Sequence, residues 1–237
     1  MLFKILRFDS LDSTNRYLLD EARAGAPEGL VAVADYQTAG RGRRGRSWVA
    51  PPGGSLLVSV LLRPALAPDR TQLVSIAAGL AMADAVASVA GFLPDLKWPN
   101  DLLADEKKLA GLLAEADGDA VVVGAGVNVE WHDFSPEVAE VATACNVVAG
   151  RSVDRDAILG EFLARLGERR RDLEGVLADY RARLSTLGRR VRVETGTGSL
   201  TGTAVDVGGG GELLVDRDDT GPVAVHAGDV VHLRDAP

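Results

Sequence analysis

Asp95-Leu96-Lys97-Trp98-Pro99-Asn100-Asp101-Leu102-Leu103-Ala104 leads through Asp105-Glu106-Lys107 into Lys108-Leu109-Ala110-Gly111-Leu112-Leu113-Ala114-Glu115-Ala116, and after Asp117-Gly118-Asp119 into Ala120-Val121-Val122-Val123-Gly124-Ala125-Gly126-Val127-Asn128-Val129-Glu130. Turn-forming clusters cut this stretch into short apolar runs over 95–98, 101–104, 108–116 and 120–130. Strands joined this tightly pair antiparallel, because a parallel pair needs a crossover of about a dozen residues or more. Outward from here, 3–8, 30–36 and 55–62 read as further strands. Helices are expected in three places. One is opened by Asp9-Ser10-Leu11-Asp12-Ser13-Thr14-Asn15, rich in capping residues, with Tyr17, Leu18 and Ala22 on its apolar side. The second covers 71–90. The third covers 154–187, where Ile158, Leu159, Phe162, Leu163, Leu166, Leu173, Val176, Leu177, Tyr180 and Leu184 recur at helical spacing, with Gly167 and Gly175 as breaks. Strands outnumber helices and follow one another, so the chain reads as an α+β fold with a mixed or antiparallel sheet.

Gly188 marks a change of character. Short β-branched runs over 191–194, 200–207, 212–215, 223–226 and 230–233 are separated by Gly and Asp. They predict a small β-barrel of about fifty residues, near the lower limit for independent folding and so leaning on its neighbour. The expected division is 1–187 and 188–237.

Composition narrows the function classes. The 237 residues are 46% hydrophobic and 25% charged, enough for a sizeable core, and the net charge is -8. Acidity of this degree opposes broad DNA or membrane-surface affinity. Cys145 is the only cysteine, so disulfide frameworks and thiolate metal clusters are excluded, and its apolar neighbours predict a buried thiol. His132, His226 and His232 are scattered without zinc-site spacing, and neither a G-x-S-x-G elbow nor a Walker A sequence occurs. The N-terminus lacks a signal-peptide pattern, and residues 73–90, rich in Ala and carrying Asp84, read as a buried helix rather than a membrane span. A cytoplasmic protein is expected.

Against this acidic background, Gly40-Arg41-Gly42-Arg43-Arg44-Gly45-Arg46-Ser47-Trp48 concentrates four arginines between two apolar strands. Glycine lets backbone approach an anion, and the guanidinium fork suits phosphate and carboxylate oxygens. Long loops inside a compact domain are usually lids or binding loops. A second group, Lys97-Trp98-Pro99-Asn100-Asp101, ends a strand in a turn where Asp101 could hold Mg²⁺ through oxygen. A third, Lys107-Lys108-Leu109-Ala110-Gly111, places glycine inside a strand, which suggests close approach. Strict alternation would put Lys108 with Ala110 and Leu112, and Lys107 with Leu109 and Leu113, so only one lysine can enter a site. In the fourth, Gly124-Ala125-Gly126-Val127-Asn128, glycines would let a flat group lie on the sheet.

Taken in order, Asp12-Ser13-Thr14-Asn15, Gln37 with the basic loop, and the second, third and fourth groups resemble the biotin–protein ligases. The likeness spans essentially the whole chain, because Gly202-x-Ala204, Gly211-x-Leu213 and Gly228-Asp229-Val230 are similar to that family's C-terminal SH3-like barrel. The resemblance implies a class II synthetase-like catalytic domain and a two-step reaction. Biotin and Mg·ATP give biotinyl-5′-AMP and pyrophosphate, and biotin then passes to a lysine of a biotin carboxyl carrier domain. It implies a biotin pocket of Ser13, Thr14, Asn15, Gln37, Arg41, Gly42, Arg43, Lys108 and Gly111. ATP and the adenylate fall to Arg41, Arg43, Arg44, Trp48 (stacking on adenine), Asn100, Asp101, Lys108 and Asn128. Lys108 and Arg43 would be catalytic, with Asp101 on Mg²⁺. Family members that repress transcription carry a DNA reader before this core, and here the first strand opens the chain, so no DNA binding is expected. A monomer or weak homodimer is implied. The chain departs from the family pattern at Ala50 and at Ala144-Cys145, neither of which is an assigned site residue. The competing readings are a lipoate–protein ligase, a non-catalytic biotin sensor and an Arg/Gly nucleic-acid binder.

Overall fold

The computed structural model describes residues 2–67, 70–196, 198–217 and 221–233. Its first sheet has seven strands in the order β1-β2-β3-β7-β6-β5-β4. These are β1 (Lys4–Phe8), β2 (Leu30–Ala34), β3 (Ser55–Leu62), β4 (Asp95–Lys97), β5 (Asp101–Ala104), β6 (Lys107–Asp117) and β7 (Ala120–Asn128). β1 runs parallel to β2, and the other pairs are antiparallel, which makes the sheet mixed as expected.

The two faces of this sheet are dressed differently. α2 (Gln72–Ala90), α5 (Arg155–Arg169) and α6 (Val176–Arg183) cover one face and share its core with Val58, Val60, Leu112 and Val123. On the other face α1 (Thr14–Arg23) buries Leu18, Leu19 and Ala22 against Ala32, Leu61, Ala120 and Val122. Each fully buried leucine stabilises this packing by roughly 2 kcal/mol. α2 is long and apolar enough to cross a membrane, but 78% of its apolar window is buried inside the protein, so it serves as the core helix. Arg169 and Arg183, from α5 and α6, both hold Asp84 of α2 at 2.7 Å.

The helical rhythm over 154–187 is split as anticipated near Gly175, whereas Gly167 lies inside α5 and does not break it. Two short helices escaped the sequence reading: α3 (Pro136–Val141) and α4 (Cys145–Ala149). Both are shorter than two full turns, too short for a periodic signal.

A second, antiparallel sheet, in the order β11-β10-β9-β8-β12, comprises β8 (Arg190–Glu194), β9 (Ser199–Val207), β10 (Leu213–Arg217), β11 (Gly221–Val225) and β12 (Asp229–His232). Val191, Val193, Ala204, Val207, Leu213, Val215 and Val225 are buried on its inner side, a barrel-like arrangement. It is fastened to the first unit by Trp98, whose indole Nε1 donates to the Gly211 carbonyl at 2.9 Å. Residues 234–237 lie outside the described residues.

Candidate active site

α1 is what opens the site, because the helix ends where the sheet turns to glycine. Ala120 and Val122 of β7 pack beneath the helix, and two-residue alternation then brings Gly124 and Gly126 to the same face. Across the ladder Gly126 faces Gly111, and Gly124 faces Leu113. The result is a smooth floor in a cleft ahead of the helix N-terminus.

The wall of this cleft is a hydrogen-bonded cluster of neutral side chains, backed by the Glu115 carboxylate. Ser13 caps α1, its Oγ accepting from Arg16 N. Gln37 Oε1 accepts from Thr14 N at 2.7 Å and from Thr14 Oγ1 at 3.0 Å. Asn15 Nδ2 donates to Leu113 O at 3.1 Å and to Glu115 Oε2 at 2.9 Å. Ser59 Oγ bonds both Thr14 Oγ1, at 2.7 Å, and Asn15 Oδ1, at 2.6 Å. Asn15 lies so close to the floor that a Cβ on Gly124 would stand 2.1 Å from its Oδ1.

The basic loop folds over this wall as a small hairpin. Gly42 N donates to Arg46 O at 2.7 Å, Arg41 bridges Ser47, and Trp48 N donates to Gly40 O. At its tip, a 3₁₀ turn at Arg43–Gly45 holds Arg44 at a φ of 56°, so neighbouring arginines point different ways. Arg41 and Arg43 turn to the cleft. Arg43 Nη1 donates to Asn100 Oδ1 at 3.2 Å. Burial pulls its pKa below the usual arginine value, while Asp229 and Asp101 act to restore it. Arg44 instead donates to the Glu194 and Thr195 carbonyls of the barrel, and Arg46 pairs with Asp229 at 2.6 Å. Trp48 lies across the glycine floor: Cβ atoms on Gly126 and Gly111 would stand 2.4 Å and 3.1 Å from its ring. The flat group that those glycines admit is therefore, in this structure, the chain's own indole.

Lys108 reaches the same floor by a device that alternation does not foresee. Leu102 pairs with Ala110 and Leu103 with Lys108, leaving Leu109 as an extra residue in β6. This β-bulge turns Lys108 away from the side of Ala110 and Leu112 and onto that of Gly111, whose Cβ would stand 3.2 Å from its Nζ. The expected facing of Lys108 is corrected accordingly. Lys107 points elsewhere and donates to Ala139 O of α3 at 2.6 Å. Lys108 Nζ stands 2.8 Å from Asp101 and 5.7 Å from the Trp48 ring centroid.

Ser13, Thr14, Asn15, Gln37, Arg41, Gly42, Arg43, Trp48, Asn100, Lys108 and Gly111 all line the cleft. Three expected residues do not. Arg44 is turned to the barrel, for the backbone reason just given. Asp101 stands behind Lys108, in a small adjoining cavity with Lys97. Asn128 is buried, with Nδ2 donating to Thr143 O at 3.0 Å and Oδ1 accepting from Ser55 Oγ at 3.2 Å, so its amide is spent on the fold. The reading missed Ser59 and Glu115. Ser59 is a polar residue in the otherwise apolar core of β3, a signal that was available; Glu115 near the end of β6 gave none. Cys145 is buried as expected, and burial, aided by the charge of Glu130, pushes its thiol up to about 12.

Every charged residue lining the cleft is a cation: Arg41, Arg43, Arg46 and Lys108. A neutral polar wall beside a cationic lid fits a molecule with an uncharged polar head and an anionic tail. The model of the Biotin/lipoate A/B protein ligase family matches residues 7–128, and that of the Biotin protein ligase C terminal domain matches 186–233. The biotin–[acetyl-CoA-carboxylase] ligase of Mycobacterium tuberculosis is 43% identical over 230 residues, covering 94% of this chain and 86% of that protein. The bifunctional ligase/repressor of Bacillus subtilis is 31% identical, over 91% of this chain and 70% of its own length. Among solved structures, the Aquifex aeolicus biotin protein ligase in complex with biotin and ATP superposes with a TM-score of 0.85 at 29% identity, covering 98% and 99% of the two chains. The chain belongs to the biotin–protein ligase family.

Proposed function

We infer that this chain activates biotin with ATP to biotinyl-5′-AMP and then transfers biotin to a lysine of a carboxylase's biotin carboxyl carrier domain. The single observation that carries this reading is the cleft itself, with cations on one side and a buried neutral wall on the other. The wall of Ser13, Thr14, Asn15 and Gln37 offers neutral donors and acceptors to the uncharged ureido ring. At the other end the carboxylate would meet Lys108 and the lid. Its attack on the α-phosphate builds negative charge that positioned cations stabilise without reorganising. Lys108 is the residue best set for this, held in place by Asp101 and the Trp48 face. Arg41 and Arg43 close on the adenylate and exclude water from the mixed anhydride.

Asp101 also bears on Mg²⁺. Its buried Oδ1 faces Lys108 Nζ at 2.8 Å, and no cluster of three or more metal-ligating side chains occurs among the described residues. That donor set fits an ion held mainly by phosphate oxygens and water, with a single protein carboxylate. Bound there, Mg²⁺ would neutralise phosphate charge. In this reading Asn128 and Arg44 act through the fold, residues 1–187 carry the chemistry, 188–237 brace the lid, and the protein works in the cytoplasm where ATP and carboxylases meet.

The deciding experiment is biotin-dependent exchange of labelled pyrophosphate into ATP, followed by transfer to a carrier domain. Exchange that responds to lipoate and not to biotin would assign the chain to lipoate instead, and biotin binding without exchange would make it a sensor.

A further inference from the structure

We propose that Glu115 is a positioning residue for the ligase reaction, setting the lid arginine Arg41 and the wall residue Asn15 relative to one another before ligand arrives. The inference rests on the function proposed above. Glu115 lies on β6 opposite Val122, at the α1 end of the floor and just outside the cleft lining. Its two carboxylate oxygens serve two different elements. Oε1 stands 2.8 Å from Arg41 Nη2 of the lid, and Oε2 accepts from Asn15 Nδ2 of α1 at 2.9 Å. The Glu115 side chain is 21% exposed and that of Arg41 45%, so the carboxylate end is shielded while the guanidinium remains partly open to solvent.

The consequence for Asn15 follows from counting its bonds. Both amide hydrogens are taken, by Leu113 O and Glu115, and its oxygen is held by Ser59. The acceptor supplied by Glu115 thus fixes which way the carboxamide faces, and with it the pattern of Thr14 and Ser59 beside it. The consequence for Arg41 concerns reach. The charged residues lining the cleft are all cations, so an anionic ligand draws Arg41 inward. Glu115 holds the guanidinium ready at the mouth and bears the ordering cost before binding.

The test uses the full chain and the pyrophosphate-exchange assay. Glu115→Gln keeps an acceptor for Asn15 but removes the charge that holds Arg41. It should raise KM for biotin by about three- to fivefold with kcat little changed, the scale of one partly exposed ion pair. In an Arg41→Ala background the same substitution should add no further loss, because its route of action is gone. Glu115→Ala should cost more and should still cost in that background, since Asn15 also loses its acceptor. A wild-type chain without biotin-dependent exchange would remove the ligase reading and this proposal with it. With an active wild type, an unchanged KM in Glu115→Gln, alone or with a lowered melting temperature, would overturn the proposal by itself. So would a full multiplicative loss in the Arg41→Ala background.

Discussion

Gly124→Ala is the smallest substitution that should damage the proposed biotin pocket without touching a charged group. Its new Cβ would stand 2.1 Å from Asn15 Oδ1, 2.9 Å from Asn15 Cγ and 3.1 Å from Ser59 Oγ. Ordinary contact is roughly 3.5–4.0 Å, so the carboxamide has to move by more than an ångström. A free side-chain end could do so cheaply. Asn15 cannot, because it is buried and its amide makes three bonds, to Ser59, Leu113 and Glu115. At about 1 kcal/mol net for each bond, losing them costs about 3 kcal/mol. Alanine's smaller unfolded-state entropy returns about 0.5–1 kcal/mol. The balance of about 2 kcal/mol should lower the melting temperature by about 4–8 °C in a domain of this size. Because the displaced groups are the pocket wall, KM for biotin should rise by at least about tenfold in pyrophosphate exchange. Gly160→Ala is the control: it lies on the exposed side of α5 with no atom within 4 Å of the new methyl, and should stabilise by about 0.5–1 kcal/mol. If Gly124→Ala melts with the wild type and binds biotin equally well, the wall is soft and its hydrogen bonds do not set the pocket.

Lys108→Ala should reduce adenylate formation by about 100- to 1,000-fold with the fold intact, the usual loss for one positioned charge-stabilising donor. Lys107→Ala, which loses only its bond to Ala139, should leave exchange within about twofold, and equal losses in both would refute the facing that the bulge at Leu109 gives them. Acid stability should report on Asp84. Burial alone would raise its pKa, but hydrogen bonds and charge from Arg169 and Arg183 outweigh that and hold it below the usual carboxylate value. Its contribution is therefore complete at neutral pH and is lost as pH falls below about 4. Asp84→Asn should be less stable at pH 7 yet lose less on acidification, and an unchanged acid slope in urea unfolding would contradict this.

The strands were legible because each reading rested on a short, local cause: turn residues between apolar runs, and the unbroken apolar pattern of β2. The cleft residues were legible where polar or basic residues interrupt such runs, as Ser13 to Asn15, Gln37, Arg41 and Arg43 do. The losses share another physical origin. The facing of Lys108 depends on one unpaired residue in β6, and a bulge leaves no mark on composition. Arg44 looks identical to Arg43 in sequence, and only a positive φ and the carbonyls of Glu194 and Thr195 separate their roles. Asn128 carried the right chemistry for a ligand, but Thr143 and Ser55 claim its amide from places distant in the chain. Glu115 meets two partners, 74 and 100 residues away, that no local pattern connects.

The seat of Trp48 on Gly111 and Gly126 has an optical consequence. The other two tryptophans are committed elsewhere: Trp98 is fully buried beneath the barrel, and Trp131 is stacked on Phe134 at 4.4 Å outside the cleft. Of the three, Trp48 alone lines the cavity, beside the Lys108 ammonium and beneath the lid arginines. Its emission should shift when the charge or water around the ring changes, so the unlabelled chain carries its own indicator dye for what enters beneath the arginines.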